Sequence, residues 1–171
     1  TLTEVEPIFD AANILRCNND ILYLVSNTGN KLGAQWLQNF LGSEYRVHIL
    51  ENMYSHSHLD STIALLREGL CLLNPDRVNE DNIPEVLKSW DKIWCPEMVD
   101  IGHFPNYNHA SVWIGINLLS LNENLVICDE NQIELHKELY KHNIEVVPMK
   151  LRHSRTLGGS FHCSTLDICR G

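Results

Sequence analysis

Three side chains in residues 54–60 (YSHSHLD) have types and spacing that could carry chemistry. His56, His58 and Asp60 lie at alternate positions. In an extended chain, alternate side chains point to one face, so this spacing predicts that two imidazoles and a carboxylate converge. Neutral imidazoles with a carboxylate suit zinc, which makes a metal hydrolase one interpretation. A polar loop before a strand is the other.

A second segment, residues 157–167 (LGGSFHCSTLD), surrounds Cys163. Its two glycines allow the backbone to turn or to approach a ligand closely. Cys163 has small polar and ionisable neighbours, whereas most of the other cysteines lie in apolar runs. A thiol is a nucleophile only as thiolate, which needs a nearby cation, base or dipole. Cys163 is therefore either a nucleophile or one more buried thiol. His58 is the better partner, since His162 would face away from Cys163 in an extended run.

Two further charged residues have neighbours that suggest a function. Asp10 lies between an aromatic residue and two alanines in residues 6–13 (EPIFDAAN), so its carboxylate is expected to be partly buried and to need a partner. It could orient a catalytic histidine or bind a guanidinium group. Arg77 ends the run Asn-Pro-Asp-Arg. That run is either a simple turn or a place where Arg77 holds an anion such as a carboxylate.

A repeat of about 50 residues must position these side chains. The pattern of each repeat predicts a hairpin, a helix and a strand. The helix at 31–41, for example, is predicted from the spacing of Leu32, Trp36 and Phe40. The other predicted helices are 83–90 and 132–142, and the predicted strands are 20–26, 45–50, 61–66, 70–73, 92–98, 112–121, 125–128 and 144–149, with a strand-like run at 158–169. One unit cannot bury both faces of its hairpin, so the units must pack around a shared centre.

The composition excludes several classes of protein. The 171 residues carry 13 Lys and Arg against 22 Asp and Glu, a net charge of −9, and 44% are hydrophobic. This apolar share predicts one packed domain over 1–171. The acidic balance counts against binders of nucleic acid or anionic membranes and leaves cationic ligands open. No apolar run could span a membrane, residues 1–7 lack an export signal, and no cysteine pair has Cys-x-x-Cys spacing. We therefore expect a cytoplasmic protein with reduced thiols.

Four motifs in order resemble the amidinotransferases: Glu-Pro-x-Phe-Asp-Ala-Ala, His-x-Asp, Asn-Pro-Asp-Arg and Gly-Gly-x-Phe-His-Cys. The resemblance runs from about Glu6 to the last residue. It is closest to the cyanobacterial saxitoxin-pathway type, with the cylindrospermopsin type next. It implies an α/β fold of the pentein type, a five-bladed propeller of hairpin-helix-strand modules. This chain would form an incomplete ring of three modules and part of a fourth, as a partial catalytic domain.

The resemblance also implies a reaction. Arginine would be the amidino donor and a small amine the acceptor, with ornithine released and no cofactor or metal required. Cys163 would be the nucleophile that carries a covalent amidino group. His58 would be the general acid and base, and Asp10 would be its carboxylate partner.

The remaining site residues implied by the resemblance bind substrate. Asp60 would bind the guanidinium group, Arg77 the carboxylate of arginine, and Ser111 would line the donor site. Ser55 and Ser57 would lie on the acceptor side, where two small polar side chains leave room for an amine larger than glycine. An acidic protein suits a cationic donor.

Several alternatives stay open at this point. A deiminase of the same fold would deliver water to the same intermediate, and a metal hydrolase or a non-catalytic fragment are alternatives from other classes. Because the resembling family is substantially longer, we expect this chain to be part of a longer protein and to be inactive alone. A homodimer is possible, and no nucleic-acid or membrane partner is expected.

Overall fold

The computed structural model describes residues 2–54, 56–104, 107–166 and 168. The chain divides into two compact units, residues 1–62 with 75–89 and residues 63–74 with 90–171. Within the described residues there are three sheets of three strands, and each sheet is an antiparallel hairpin whose second strand pairs in parallel with a third strand. The predicted α/β repeat is therefore confirmed.

The described part of the first unit has one such sheet, formed by β1 (Ile14–Cys17), β2 (Asp20–Leu24) and β3 (Arg46–Leu50). Helix α1 (Lys31–Leu41) connects β2 to β3. The central strand β2 is buried over residues 21–24. Sequence analysis predicted α1, β2 and β3 and missed β1.

Helix α1 buries a different face from the one that its aromatic spacing suggests. Trp36 and Phe40 are 48% and 72% exposed, and their rings stack with centroids 5.2 Å apart. The buried residues of the helix are instead Gly33 and Ala34. A Cβ on Gly33 would lie 2.5 Å from Tyr23 Oη, so only glycine permits this close approach. The apolar spacing predicted the helix correctly but not its packing.

A buried tyrosine and a helix cap fix the segment that leads to Asp10. The hydroxyl of Tyr23 lies 2.9 Å from the carbonyl oxygen of Asn30 and 3.2 Å from that of Ile8. Asn30 caps α1, because its Oδ1 accepts from the backbone N–H of Gly33 at 2.8 Å and also from that of Ile8 at 3.0 Å. Ile8 is therefore held two residues before Asp10.

The described part of the second unit has two sheets and two helices. The first sheet is formed by β4 (Ile63–Arg67), β5 (Leu70–Leu73) and β6 (Asp91–Trp94), and the second by β7 (Leu119–Asn122), β8 (Leu125–Asp129) and β9 (Glu145–Met149). The helices are α2 (Ile133–Lys141) and the single turn α3 (Ser154–Leu157). One apolar core joins both sheets to α2: Leu66, Leu70, Leu72, Ile93, Cys95, Met98, Ile116, Leu118, Val126, Cys128, Leu135, Leu139 and Ile144.

Three predicted elements differ from the structure. Residues 83–90 hold only a 3-10 turn at Glu85–Leu87, preceded by Pro84 in an extended conformation with ψ 138°. The run predicted as a strand from 112 instead begins with a 3-10 turn, Val112–Ile116. An apolar run does not by its periodicity distinguish a strand from a buried helical turn. The described part of 158–169 forms turns and no strand. None of the described helices has the length and apolar character needed to cross a membrane.

Candidate active site

Asp10 and His58 lie together in the first unit, although 48 positions separate them in the sequence. His58 Nε2 is 3.2 Å from Asp10 Oδ2. The other carboxylate oxygen accepts from the backbone N–H groups of Ala12 and Asn13 at 2.9 and 3.2 Å, which caps the 3-10 turn Ala11–Asn13. One oxygen thus fixes the carboxylate and the other faces the imidazole. The His58 and Asp10 side chains are 37% and 41% exposed, so a substrate could reach them.

The main chain at His58 is not extended. His58 has φ +52°, in the left-handed region that residues other than glycine rarely adopt. Its N–H donates to Asn13 Oδ1 at 3.2 Å, and the next N–H, that of Leu59, donates to the Ala12 carbonyl at 2.8 Å. Leu59 is fully buried. The prediction of an extended run that aligns His56, His58 and Asp60 is therefore wrong, because buried Leu59 and the bond to Asn13 turn the chain at His58.

The neighbours of His58 have separate environments. His56 is exposed, and its ring meets that of Tyr54 edge to face with centroids 6.2 Å apart. Asp60 is only 6% exposed and lies in the turn closed by the bond from Thr62 N–H to the Leu59 carbonyl. In the parts of the chain that the structure describes, no three His, Cys, Asp or Glu side chains are grouped so as to hold a metal ion.

Arg77 lies in the first unit against the ring of Tyr54, with its guanidinium carbon 3.6 Å from the ring centroid. Its Nη1 donates to the carbonyl and hydroxyl oxygens of Ser61 at 3.2 and 3.0 Å and to Thr62 Oγ1 at 2.9 Å. Burial lowers the pKa of the Arg77 guanidinium below its ordinary value. These three accepting oxygens fix the orientation of the guanidinium group.

Cys163 lies in a tight turn of the second unit. The turn is closed by bonds from Ser164 N–H to the Ser160 carbonyl at 3.0 Å and from Thr165 N–H to the His162 carbonyl at 3.1 Å. Cys163 is exposed, whereas the other described cysteines are buried thiols outside any disulfide: Cys17, Cys71, Cys95 and Cys128. The prediction of reduced, buried thiols is confirmed for those four, and Cys169 lies outside the described residues.

Burial makes two of these other thiols unreactive. It raises the pKa of Cys128 to about 12 and also raises the pKa of Cys95. A thiol with such a pKa carries almost no thiolate at neutral pH and is a poor nucleophile. Cys163 differs from both in its exposure and in its polar turn.

Two residues hold the Cys163 turn: Asn117, which sequence analysis missed, and Gly159, one of the two glycines that it singled out. Asn117 is 1% exposed, and its Oδ1 accepts from the Cys163 N–H at 3.1 Å. Gly159 packs so closely that a Cβ there would lie 3.0 Å from Cys163 Cβ. In the first unit, Asn13 binds His58 in the same way. A signal was available, since each asparagine interrupts an apolar run within two residues of the first strand of a hairpin, β1 or β7.

The three serines that are predicted to bind substrate differ in their positions. Ser111 is exposed and directly precedes the 3-10 turn Val112–Ile116, in which its carbonyl accepts from Ile114 N–H at 3.1 Å. Ser57 is half-buried beside His58. Ser55 lies outside the described residues.

A buried arginine holds the chain that leads to Ser111. Arg155 is 6% exposed and forms an ion pair with Asp100. Its Nε donates to the Ala110 carbonyl at 3.1 Å, and its own carbonyl accepts from His109 N–H at 2.9 Å. The residue next to Ser111 is therefore fixed to α3, shortly before the Cys163 turn in sequence.

Repeated modules of a hairpin and a parallel third strand define a pentein-type α/β fold. The chain is 56% identical over 169 residues to inosamine-phosphate amidinotransferase 1 of Streptomyces glaucescens, which covers 99% of this chain and 49% of that relative. The solved inosamine-phosphate amidinotransferase of Streptomyces griseus has a TM-score of 0.97 and 54% identity, over 99% of this chain and 49% of that one. No family model matches. The chain is similar over nearly its whole length to amidinotransferases and spans about half the length of these relatives.

A saxitoxin-pathway amidinotransferase from Microseira wollei is a further structural relative. It has a TM-score of 0.90 and 37% identity, over 99% of this chain and 50% of that one. The similarity to amidinotransferases, a saxitoxin-pathway enzyme among them, is thus as predicted. The identity is nonetheless higher to the Streptomyces inosamine-phosphate enzymes than to this protein.

Proposed function

We propose that the protein transfers the amidino group of arginine to an amine acceptor, with Cys163 as the nucleophile. The observation that carries this proposal is the exposed Cys163 thiol in its polar turn, in contrast to the four buried thiols. Similarity to the amidinotransferases supports the reaction class. A planar, delocalised cation such as guanidinium is a poor electrophile, so a soft covalent nucleophile is the suitable reagent.

The first half-reaction forms a covalent intermediate. The Cys163 thiolate attacks the guanidinium carbon and forms an S–C bond. His58 gives a proton to the nitrogen that leaves, the C–N bond to that nitrogen breaks, and ornithine departs as an amine. Cys163 then carries the amidino group as a cationic isothiourea.

The second half-reaction restores the enzyme. The acceptor amine attacks the same carbon, and His58 takes a proton from that amine. The C–S bond breaks, the product leaves as a new guanidine, and the thiolate returns. Protons and charge balance over the cycle without an oxidant, reductant or metal.

Asp10 would orient His58 and stabilise its protonated form. The 3.2 Å contact between Asp10 Oδ2 and His58 Nε2 supports this role. The carboxylate is held by two backbone N–H groups through its other oxygen, so it needs little reorganisation when the imidazole charges.

We also infer how the substrates bind. Asp60, a buried carboxylate, would hold the guanidinium group, and Arg77 would hold the carboxylate of arginine. Ser111 would line the donor side, and Ser55 and Ser57 the acceptor side. The reaction would take place in the cytoplasm, where thiols stay reduced.

The acceptor would be an amine larger than glycine. Two serines on the acceptor side leave more room than larger side chains would, and the relatives of highest identity reported above are named for inosamine phosphate. Inosamine phosphate and glycine are therefore the acceptors to compare. We expect glycine to give the lower kcat/KM of the two.

The test is mass spectrometry of the full-length protein incubated with arginine. An amidino adduct on the peptide that contains Cys163 is expected, together with released ornithine. Cys163→Ala should lose the adduct, while the matched variant Cys17→Ala, which removes a buried thiol, should keep it. Absence of an adduct from folded, unsubstituted protein would overturn the proposal, as would an adduct that persists in Cys163→Ala. Citrulline in place of ornithine would identify a deiminase.

A further inference from the structure

We propose that two buried asparagines, Asn13 and Asn117, are positioning residues that set the main chain at His58 and at Cys163. Their importance for catalysis rests on the function proposed above. Neither residue contacts a reacting atom in that mechanism; each would act through the residue that it holds.

Asn13 fixes His58 from within the first unit. It is fully buried, and its Oδ1 accepts from the His58 N–H at 3.2 Å, from Thr28 Oγ1 at 3.1 Å and from Ser26 Oγ at 3.3 Å. A backbone N–H can only donate, so the oxygen of the amide must face His58. The orientation of the Asn13 side chain is therefore determined by His58.

This orientation leaves the other end of the amide unsatisfied. Asn13 Nδ2 is buried without a hydrogen-bond partner in the part of the chain that the structure describes. A buried polar group without a partner is destabilising, and a side chain selected for stability alone would avoid it. The arrangement is thus explained better by what Asn13 does for His58 than by what it adds to stability.

The benefit to His58 is conformational. His58 has φ +52°, which is unfavourable for a residue with a Cβ. The bond from its N–H to Asn13 Oδ1 holds it in that conformation and so places the imidazole 3.2 Å from Asp10. Without the bond, we expect the main chain to relax and the contact with Asp10 to lengthen.

Asn117 acts in the same way in the second unit. It is 1% exposed, its Oδ1 accepts from the Cys163 N–H at 3.1 Å, and its carbonyl accepts from the His162 N–H at 3.4 Å. Two successive amides of the turn are therefore bound to one buried residue. The backbone at Cys163 is thus anchored while the residue remains exposed.

The two asparagines occupy matching places in the repeat. Asn13 ends the 3-10 turn Ala11–Asn13, and Asn117 directly follows the 3-10 turn Val112–Ile116. Each precedes the first strand of a hairpin, β1 or β7. The bound residue follows 45 positions after Asn13 and 46 after Asn117. The same arrangement, a buried asparagine that accepts from a main-chain N–H, therefore recurs with the repeat and holds one residue in each unit.

The experiment replaces each acceptor oxygen and measures the half-reaction. Asn13→Leu and Asn117→Leu remove the oxygen at similar volume, while Asn13→Asp and Asn117→Asp retain one. Matched controls are Gln38→Met and Gln132→Met, since these amide oxygens also accept from a main-chain N–H, that of Val47 at 2.8 Å and that of Val99 at 2.9 Å. All are made in the full-length protein and compared for the rate of adduct formation, kcat, KM and thermal midpoint.

Both leucine variants should slow adduct formation on the order of tenfold to a hundredfold, with KM for arginine changed by less than about twofold. The aspartate variants should recover part of the rate. The control variants Gln38→Met and Gln132→Met should lower the thermal midpoint and leave the rate of adduct formation per folded molecule unchanged. Hydrogen exchange of the His58 and Cys163 amides should accelerate in the matching leucine variant, a readout that needs no activity.

The outcomes separate the two proposals. No adduct on the unsubstituted protein would overturn the proposed function. An adduct that forms on Asn13→Leu and Asn117→Leu at the unsubstituted rate would overturn the positioning roles alone. A loss of rate equal to that of the glutamine controls at equal loss of stability would also overturn them, because it would show a structural effect only.

Discussion

The Cys163 turn and the His58 segment hold their side chains by different means. In the turn, most bonds join residues three or four positions apart, such as Ser160 with Ser164 and His162 with Thr165, and Asn117 supplies the distant contact. At His58, the contacts come from Asp10 and Asn13, 48 and 45 positions away. The thiol is presented by a local turn, whereas the imidazole depends on the packing of its whole unit.

This difference separates two ways in which the chemistry could fail. The Cys163 thiol must be accessible to the substrate and correctly directed towards it. Added bulk in the turn would disturb both. An imidazole needs a partner that keeps its orientation and charge, so it is disturbed by removal of that partner. Substitutions that distinguish bulk from charge therefore test the two regions separately.

The largest effect should come from Asp10→Asn. Asparagine is as good a helix cap as aspartate, so the 3-10 turn Ala11–Asn13 should persist while the negative charge beside His58 is lost. We expect kcat to fall on the order of a hundredfold to ten-thousandfold, as in hydrolase triads where the carboxylate becomes an amide. Steady-state assay of ornithine release measures this effect.

A second Asp-His pair in the same unit provides the control. Asp20 Oδ1 lies 2.6 Å from His48 Nε2, and Asp20→Asn breaks that pair without touching His58. It should leave kcat within about twofold of the unsubstituted value, because a partly exposed pair contributes little beyond local stability. Equal losses in both variants would show that the unit is simply destabilised, and would count against a special role for Asp10. Alkylation of Cys163 by iodoacetamide should proceed at the same rate in both.

An intermediate effect is expected from Gly159→Ala, which adds bulk to the turn. The new Cβ would lie 3.0 Å from Cys163 Cβ and 3.7 Å from its Sγ, so the nucleophile itself must move. A shift of a few tenths of an ångström should slow adduct formation on the order of tenfold. The rate of adduct formation in a single turnover measures this directly.

Gly69→Ala is the matched glycine substitution away from Cys163. Gly69 has φ +80° and open space around it, so alanine there strains the turn between β4 and β5 and lowers stability without meeting another side chain. It should lower the thermal midpoint and leave adduct formation unchanged. If Gly159→Ala formed the adduct at the unsubstituted rate, close packing against Cys163 would have no bearing on its reactivity.

The two regions also differ in how far sequence alone could predict them. The exposed cysteine could be singled out because its neighbours are small and polar, and these same neighbours form its turn. The course of the chain at His58 was predicted wrongly, since alternate spacing gives a common face only in an extended strand. What bends the chain there is buried Leu59 and the distant side chain of Asn13. The segment 54–60 contains Leu59 but carries no information about Asn13.

The fold shows the same division. Helices α1 and α2 and seven of the nine described strands could be predicted closely from apolar periodicity. The apolar run Val112–Ile116 was misread, because Gly115 lets it approach Met98 as a compact 3-10 turn, with a Cβ at that position only 2.7 Å from Met98 Sδ. The asparagines were missed because their importance depends on which amide each one meets. The preference of a segment for helix or strand can be predicted from its own sequence. The hydrogen-bond partner of a buried polar side chain cannot, because that partner lies far away in the sequence.

The smallest effect should come from Tyr23→Phe, which loosens the segment before Asp10. The hydroxyl of Tyr23 is shared between the carbonyls of Asn30 and Ile8, and its loss should cost about 1–2 kcal/mol of the free energy of unfolding at pH 7. Because Ile8 is two residues from Asp10, kcat should fall slightly. The rate at which iodoacetamide alkylates Cys163 should not change.

The pH dependence of this substitution gives it a second readout. Burial, with smaller effects of Glu4 and Asp10, raises the pKa of Tyr23 from 10.0 to about 12. The folded protein therefore keeps a proton on Tyr23 that the unfolded chain loses above pH 10, so the stability that the tyrosine contributes is complete below pH 10 and declines as the pH rises towards 12. Phenylalanine has no such proton. The difference in unfolding free energy between the two proteins should shrink across this window in urea titrations, and a constant difference would mean that the Tyr23 hydroxyl is not buried against Ile8 and does not help to place Asp10.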